Sequence, residues 1–598
     1  MLCLLILASG ARGEDDDLRS LELYNGEPVA VVSADRSPRP ASQTAENITV
    51  VTASEIEALN AHTLAEVLYT VAGVQVEMTR TPGGFTFLEV QGSNNNHILV
   101  LIDNVSINSY SENTADIASV PAQIIDRVEI IKGAASSSWG SALGGVVNVI
   151  TKAPRHDRTL GGLVSASYGK KSTVDGRAEV SGMLDNFGYY LSGGKLRSDG
   201  LAPNNETNLN HAYGKLRYEL PVHGSLTLTA GVTDGEGGLF RLTPLLPRED
   251  DHDNRLILSN LSLQYPLADR LHFEGMLRTR HSTSKIDARN TIAGNILPQL
   301  DLEESANGTS LILTWLDELQ RVVAGVDYDH IEAEARLPEP FSKSVDRVGV
   351  YLNDTLTLGA FAVTPSARFD HTGSGGDLFS PSFGVTYALT DNTVLRGYTA
   401  RGYSITSVSR PSSTEKVWTS QLGFESAEIP YLWLKGTLLR NYTWDVNVGT
   451  PNPGAPPTFR KHRQIKQGFE VEARTTPVFG ASLSLSYTFI DAKDRTAKTV
   501  MEGIGRHTLN LGVKYENSSN LRVLLNGHYI DWNGSGGFQD GDYDAMLWDL
   551  HLGKKFFYSE SGSIELFGSL HNVFNDKQYL FPFDNPRRWG EVGAKWEF

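Results

Sequence analysis

Cysteine occurs once in 598 residues, at position 3. That position lies in an apolar leader, Met-Leu-Cys-Leu-Leu-Ile-Leu-Ala, followed by Ser-Gly-Ala-Arg-Gly. The pattern is the apolar part and cleavage region of a secretory signal peptide without its basic start, so residues 1–13 are expected to be a signal peptide shortened at its beginning. The mature chain then holds no thiol, which excludes a disulfide framework, a cysteine-based zinc site and a thiol nucleophile. Past the leader no apolar run approaches the ~20 residues of a spanning helix, and the mean hydropathy is −0.24. Positive charge is in deficit too: 53 Lys+Arg against 70 Asp+Glu leave a net charge of −17. A nucleic-acid partner needs basic stripes, so none is expected.

What the chain has in quantity is alternation. In residues 590–598, Val592, Ala594, Trp596 and Phe598 fall on one strand face and Glu591, Gly593, Lys595 and Glu597 on the other. Leu226, Leu228, Ala230 and Val232 repeat the pattern, as do Phe383, Val385, Tyr387 and Leu389. A soluble sandwich alternates as well. Aromatics at strand ends and strongly polar intervening residues favour a transmembrane barrel, whose staves escape a hydropathy scan because only every second residue faces lipid.

The chain divides into four parts. After residues 1–13, residues 14–45 are an acidic stretch followed by a proline-flanked β-prone run, Pro28, Val29, Ala30, Val31, Val32 and Ser33. In isolation that run is extended and mobile, able to add as a strand to a partner's sheet edge. Residues 46–154 read as an α/β domain: a strand at 48–51, a helix from Thr52 to about Val71 with Thr52 or Ser54 as cap, strands at 74–78, 85–91 and 98–102, a turn at Asp103-Asn104, and a strand–small turn–strand unit over 124–152. Residues 155–598, at roughly 20 residues per strand and connection, allow about 22 strands of ~9–11 residues each. A barrel that wide holds a plug.

These motifs resemble the TonB-dependent outer-membrane receptors along essentially the whole chain. The energy-coupling box, or TonB box, matches at Pro28 to Ser33. The plug matches at Thr49-Val-Val-Thr52, Leu64-Ala-Glu-Val-Leu68, Ala72-Gly-Val-Gln-Val76, Ile98-Leu-Val-Leu-Ile-Asp103 and 124–152, and the barrel end at 571–579 and Phe598. The resemblance implies a mostly β fold: a 22-stranded transmembrane antiparallel barrel with an N-terminal α/β plug inside it, in the outer membrane of a Gram-negative bacterium. It implies active uptake of a small-molecule metal chelate, driven by the proton gradient through the inner-membrane TonB complex. No catalysis, cofactor or resident metal is implied, and the surroundings are outer-membrane lipid and lipopolysaccharide with the chain a monomer. The stretch before the box is too short for the extra signalling domain of some relatives, so transport without transduction is expected.

Two departures stand out. Where the family often has Arg-Gly and Arg-Gly-Pro, this chain has Gln91-Gly92 and Lys132-Gly133-Ala134. In relatives plug arginines pair with barrel glutamates, so Arg127 or Lys132 is expected to face Glu470 or Glu472, which alternation turns inward. Trp596 and Phe598 are expected to serve barrel assembly on the lipid face of the closing strand.

Within the family, the short barrel and the pattern Gly-x-Asn-x-x-His-Ile-Leu-Val-Leu-Ile-Asp over 92–103 are most similar to the cobalamin receptors. By that resemblance the ligand-binding plug positions fall on Phe85, Phe87, Asn94, Glu112 and Asn113. Aromatics and amides suit a corrinoid or a ferric siderophore equally. The acidic clusters at 249–253 and 540–544 read as solvated loop charges; the second begins like a calcium loop, but Ala545 and His551 stand where glycine and glutamate are required. A passive porin or adhesin would have no use for a plug behind a mobile box. A barrel enzyme would need a nucleophile and base, and Ser136, Ser137 and Ser138 lack the Gly-x-Ser-x-Gly form.

Overall fold

The structure is a computed structural model that describes residues 30–78, 81–239, 248–337, 339–408, 414–452, 455–517, 519–532, 541–542, 545–559, 562–580 and 585–598. The leader, Pro28 and Val29 of the expected box, and most of the 540–544 cluster lie outside those residues.

Twenty-two antiparallel staves, from Gly161–Gly169 to Trp589–Glu597, close into a barrel; the ribbon Thr499–Val500 only extends one hairpin. Closure is by direct pairing of first and last staves, with Tyr168 opposite Val592 and Leu163 opposite Glu597. Phe598 completes it: its N–H donates to the Gly162 carbonyl at 3.0 Å and its carbonyl accepts from Gly162 N–H at 2.9 Å. The staves Arg248–Ala268 and Ile296–Leu316 run 21 residues each, about twice what a bilayer requires, so they stand well clear of it. Among the described residues no helix is long and apolar enough to cross a membrane.

The outward face is the apolar one. Val592 and Trp596 are 68% and 53% exposed, while Glu591 between the plug and the wall is buried. Trp596 lies near the rim where the chain ends, whereas Val592 sits near the middle of its stave. Because a charge on the lipid face costs about 2–4 kcal/mol at the midplane and about 0–1 near an interface, Val592→Arg is expected to reduce the yield of folded barrel more than Trp596→Arg. Heat-modifiable barrel in outer-membrane fractions measures this, and the reverse order would contradict the assigned depth.

Inside the barrel sits a five-stranded sheet in the order Asn47–Thr52, Ile125–Lys132, Gly145–Thr151, Ile98–Ile102, Val105–Ser106. Only the Ile98–Ile102 and Gly145–Thr151 pair is parallel, and these two strands are nearly all apolar because both faces are covered. Leu64, Ala65, Val67 and Leu68 pack with them into the plug core.

The single helix expected over 52–71 is two, Ala53–Ala58 and Leu64–Leu68. Thr52 caps the first through a reciprocal pair, its N–H donating to Glu55 Oε2 at 2.8 Å and its hydroxyl accepting from Glu55 N–H. Asn60 at φ 48° ends that helix, a conformation asparagine tolerates and a helix cannot continue through. The expected Asp103-Asn104 turn has both residues at positive φ, 43° and 68°, the geometry of a tight hairpin. The Asp103 carboxylate accepts from Thr151 N–H at 3.0 Å and lies 3.0 Å from Lys215 of the wall. Burial works against its charge, but the lysine and these donors outweigh burial and hold the carboxyl below its ordinary value.

Candidate functional site

The chain following the start of the box is not a mobile strand. Ala30–Val31 pairs antiparallel with Arg39–Pro40, and Val31 and residues 33–37 are buried. The cause is a carboxylate in the plug interior. Glu129, on strand Ile125–Lys132, accepts from Val32 N–H at 2.9 Å, Ser33 N–H at 2.8 Å and the Ser33 hydroxyl at 2.6 Å. The Trp139 indole donates to the Ser33 carbonyl at 2.7 Å, and the Ser138 hydroxyl donates to the Ala34 carbonyl at 2.8 Å. A fully buried carboxylate is tolerated only when donors surround it, and here the box supplies them. Arg36 then reaches the wall: its guanidinium lies 2.7 Å from Asp327 and stacks 4.9 Å from the Trp139 ring. Asp327 also takes Arg368 at 2.6 Å.

The second contact between plug and wall centres on Glu470 of stave Ala455–Thr475. Lys132 Nζ lies 3.1 Å from Glu470 and 3.7 Å from Glu472. Gln91 donates to Glu470 Oε1 at 3.0 Å and Asn47 to Oε2 at 3.0 Å. Gly73, at φ +66°, leaves no room for a Cβ beside the Glu470 carboxylate. Gln91, which stands where the resemblance implies arginine, is therefore a neutral donor to Glu470. Arg127 does not share this role. It bonds Asp126 at 3.3 Å and Glu129 at 3.0 Å, because alternation along its strand turns it to the face that carries Glu129. Its place is beside the carboxylate that holds the box.

At the apex, Phe85 and Phe87 form an edge-to-face pair with centroids 4.8 Å apart, the preferred geometry for two rings; Phe87 is 36% exposed. Asn94 and Glu112 are exposed. Asn113 is differently engaged: at φ 56° it donates to the Asn96 carbonyl at 2.6 Å and the Ser404 hydroxyl at 2.9 Å, so it ties its loop to the wall. The adjoining backbone is held by Glu304, which accepts from Tyr110 N–H at 3.1 Å and Ser111 N–H at 2.7 Å. Near the phenylalanines, Gly83 abuts Thr207 and Leu196, so the aromatic pair and the Asn113 loop meet different arcs of the wall.

The acidic cluster at 249–253 is arginine-paired: Asp250 lies 2.6 Å from Arg248 and Asp251 3.4 Å from Arg289. Among the described residues no group of three or more His, Cys, Asp or Glu is arranged to hold a metal ion. Sequence reasoning missed Glu129, Arg36, Asp327 and Glu304. Glu129 carried a signal, a lone acid inside the apolar run Val128 to Ile131; Asp327 and Glu304 read like any lumen charge.

With this geometry in place, two family models match: the TonB-dependent receptor plug domain over residues 40–146 and the TonB dependent receptor-like β-barrel over 196–573. The vitamin B12 transporter BtuB of Vibrio vulnificus is 24% identical over 486 residues, 76% of this chain and 77% of that protein. BtuB of Vibrio cholerae serotype O1 is 34% identical over 154 residues, 25% of each chain. Among solved structures, the unliganded ferric citrate transporter FecA superposes with a TM-score of 0.77 at 18% identity, covering 93% of this chain and 97% of that one. The ferripyoverdine receptor of Pseudomonas aeruginosa superposes with 0.78 at 17% identity, covering 95% and 88%. At these identities the solved structures establish the fold.

Proposed function

We propose that this chain, which belongs to the TonB-dependent receptor family, is an importer of a cobalamin-like corrinoid. As a member of the family it is a receptor of the Gram-negative outer membrane that couples to TonB and takes up a small-molecule ligand. The corrinoid reading rests on the similarity to vitamin B12 transporters over 76% of the chain. A ferric siderophore is the second reading, because the aromatic pair at the apex suits an iron chelate as well as a corrinoid ring. Either ligand brings its own metal, so the protein need only recognise the outside of the chelate. No bond is made or broken in this function. The serines of the short helix Ser136–Trp139 are committed to packing, with Ser138 on the Ala34 carbonyl and Ser136 accepting from Tyr403 N–H at 3.0 Å.

In this reading the plug occupies 46–154, the barrel 155–598, and the protein works as a monomer in lipid and lipopolysaccharide. The box waits on Glu129, and ligand binding above shifts it toward TonB. Calorimetric titration of the purified protein with cyanocobalamin and, separately, with ferric siderophores tests the ligand; tight binding of a ferric chelate and none of cyanocobalamin would replace the first reading by the second.

Joint replacement of Phe85, Phe87 and Asn94 by alanine is expected to weaken ligand binding by a few kcal/mol, since hot-spot aromatics each cost ~2 kcal/mol or more on truncation. The barrel stays folded because these groups border the outer vestibule. Unchanged affinity in the same titration would move the site to the barrel loops.

A further inference from the structure

We propose that the seam between plug residues 53–69 and the last staves of the barrel is the ligand's permeation path, and that His62, clamped between Glu66 and Glu591, is its closed gate. The inference rests on the uptake reading above and assigns the route.

Two cavities lie on this seam, one of about 100 Å³ on the outer side and one of about 330 Å³ on the inner side. Both are bordered by the same two elements, read in the same direction. Along stave Trp589–Glu597 the inward residues are Trp589 in the outer cavity, then Glu591, then Lys595 and Glu597 in the inner one. Along the plug, Leu59, Thr63, Glu66 and Tyr69 line the outer cavity, and Ala53, Glu57, Asn60 and His62 the inner one, so the two meet at residues 59–63. The two cavities are therefore consecutive, and what parts them is the contact of His62, on the inner side, with Glu66, on the outer side, and with Glu591, which lines neither.

That contact is held by charge. His62 Nδ1 lies 3.1 Å from Glu66, and its Nε2 lies 3.1 Å from Glu591 and 3.8 Å from Asp175 of the wall. Ser167 donates to Glu591 at 3.1 Å, and Arg177, paired with Asp175, donates to the Ala61 carbonyl at 3.0 Å. Burial disfavours the imidazolium, but Glu591 and Glu66 outweigh it and hold His62 well above its ordinary value. The barrier is thus a set of ion pairs that can part and re-form, unlike the packed apolar core on the other side of the helix Leu64–Leu68.

The mechanical connection is direct. The box leads through residues 34–46 into strand Asn47–Thr52, which leads without a loop into helix Ala53–Ala58 and the break at Asn60. A pull on the box reaches the His62 level through 29 residues of backbone that include the edge strand of the plug sheet, so the seam can open while the other four strands stay in place.

The test is conductance of the purified full chain in planar bilayers in KCl. His62→Ala combined with Glu591→Gln is expected to join the cavities and produce discrete channel openings where the unaltered protein is silent. His97→Gln with Glu415→Gln removes a matched buried pair, 2.7 Å apart, whose residues line neither cavity, and is expected to remain silent. Glu66→Gln, which keeps the shape of the clamp, covers failure of the double variant to assemble and is expected to open less often. Silence of the assembled His62 and Glu66 variants, or equal openings in the His97 variant, would overturn the proposal. Failure of the uptake reading shows itself separately, as absence of ligand uptake by the unaltered chain.

Discussion

Val32→Pro is expected to reduce active uptake to the level of cells lacking TonB while ligand binding and barrel assembly stay intact. Proline removes the Val32 N–H, which donates to Glu129 at 2.9 Å in the docked box and is a ladder donor when the strand adds to a partner sheet. These two losses pull in opposite directions. Losing a hydrogen bond to a charged acceptor loosens the docked state by about 1.5–3 kcal/mol, which by itself would make the box easier to release. Loss of uptake therefore says that pairing with TonB limits the process, and a gain says that release does. Glu129→Gln isolates the release step: it weakens the docked state, leaves the box backbone untouched, and is expected to raise binding of purified TonB in the absence of ligand. TonB pull-down beside uptake measures both, and undiminished uptake by Val32→Pro would place the box elsewhere.

The second large effect is expected at the wall. Lys132 and Glu470 are both almost wholly buried, and removing one partner of a buried pair typically costs about 3–5 kcal/mol because the other is left uncompensated. Glu470→Ala strands Lys132, Gln91 and Asn47 together, with only the more distant Glu472 at 3.7 Å to take up the lysine charge. The plug is expected to become protease-sensitive at a lower urea concentration while the barrel remains heat-modifiable. Replacing Arg127 by alanine is expected to leave that midpoint near the unaltered value, since its partners are Asp126 and Glu129 of the plug. Equal shifts from the two variants would show that the Glu470 contact is not what holds the plug to this part of the wall.

Much of the architecture is legible in the chain because it depends on period. The two-residue alternation that puts Val592 and Trp596 in lipid and Glu591 in the lumen is a local property, fixed wherever the strand lies. The same alternation turned Glu470 and Glu472 inward. The capping box at Thr52 and Glu55 and the turn at Asp103-Asn104 are equally local. Where the reading of the helix over 52–71 failed, the break came from one backbone conformation at Asn60, which the apolar pattern does not record.

The sequence by itself determined the barrel, the plug, the strand faces and the family, since each follows from residue order within a few neighbours or from motifs in series. Only the tertiary structure decided that the box is folded onto Glu129, that Arg127 belongs to that contact and Lys132 to the wall, that Asn113 ties a loop to Ser404, and that His62 stands between two cavities. The pairings of Val32 with Glu129, Asn113 with Ser404, Lys132 with Glu470 and His62 with Glu591 span 97, 291, 338 and 529 residues of chain. A buried charge must find a partner, but which of the many lumen charges it meets is set by the register of 22 closed staves around the plug and by no local feature of the residues themselves.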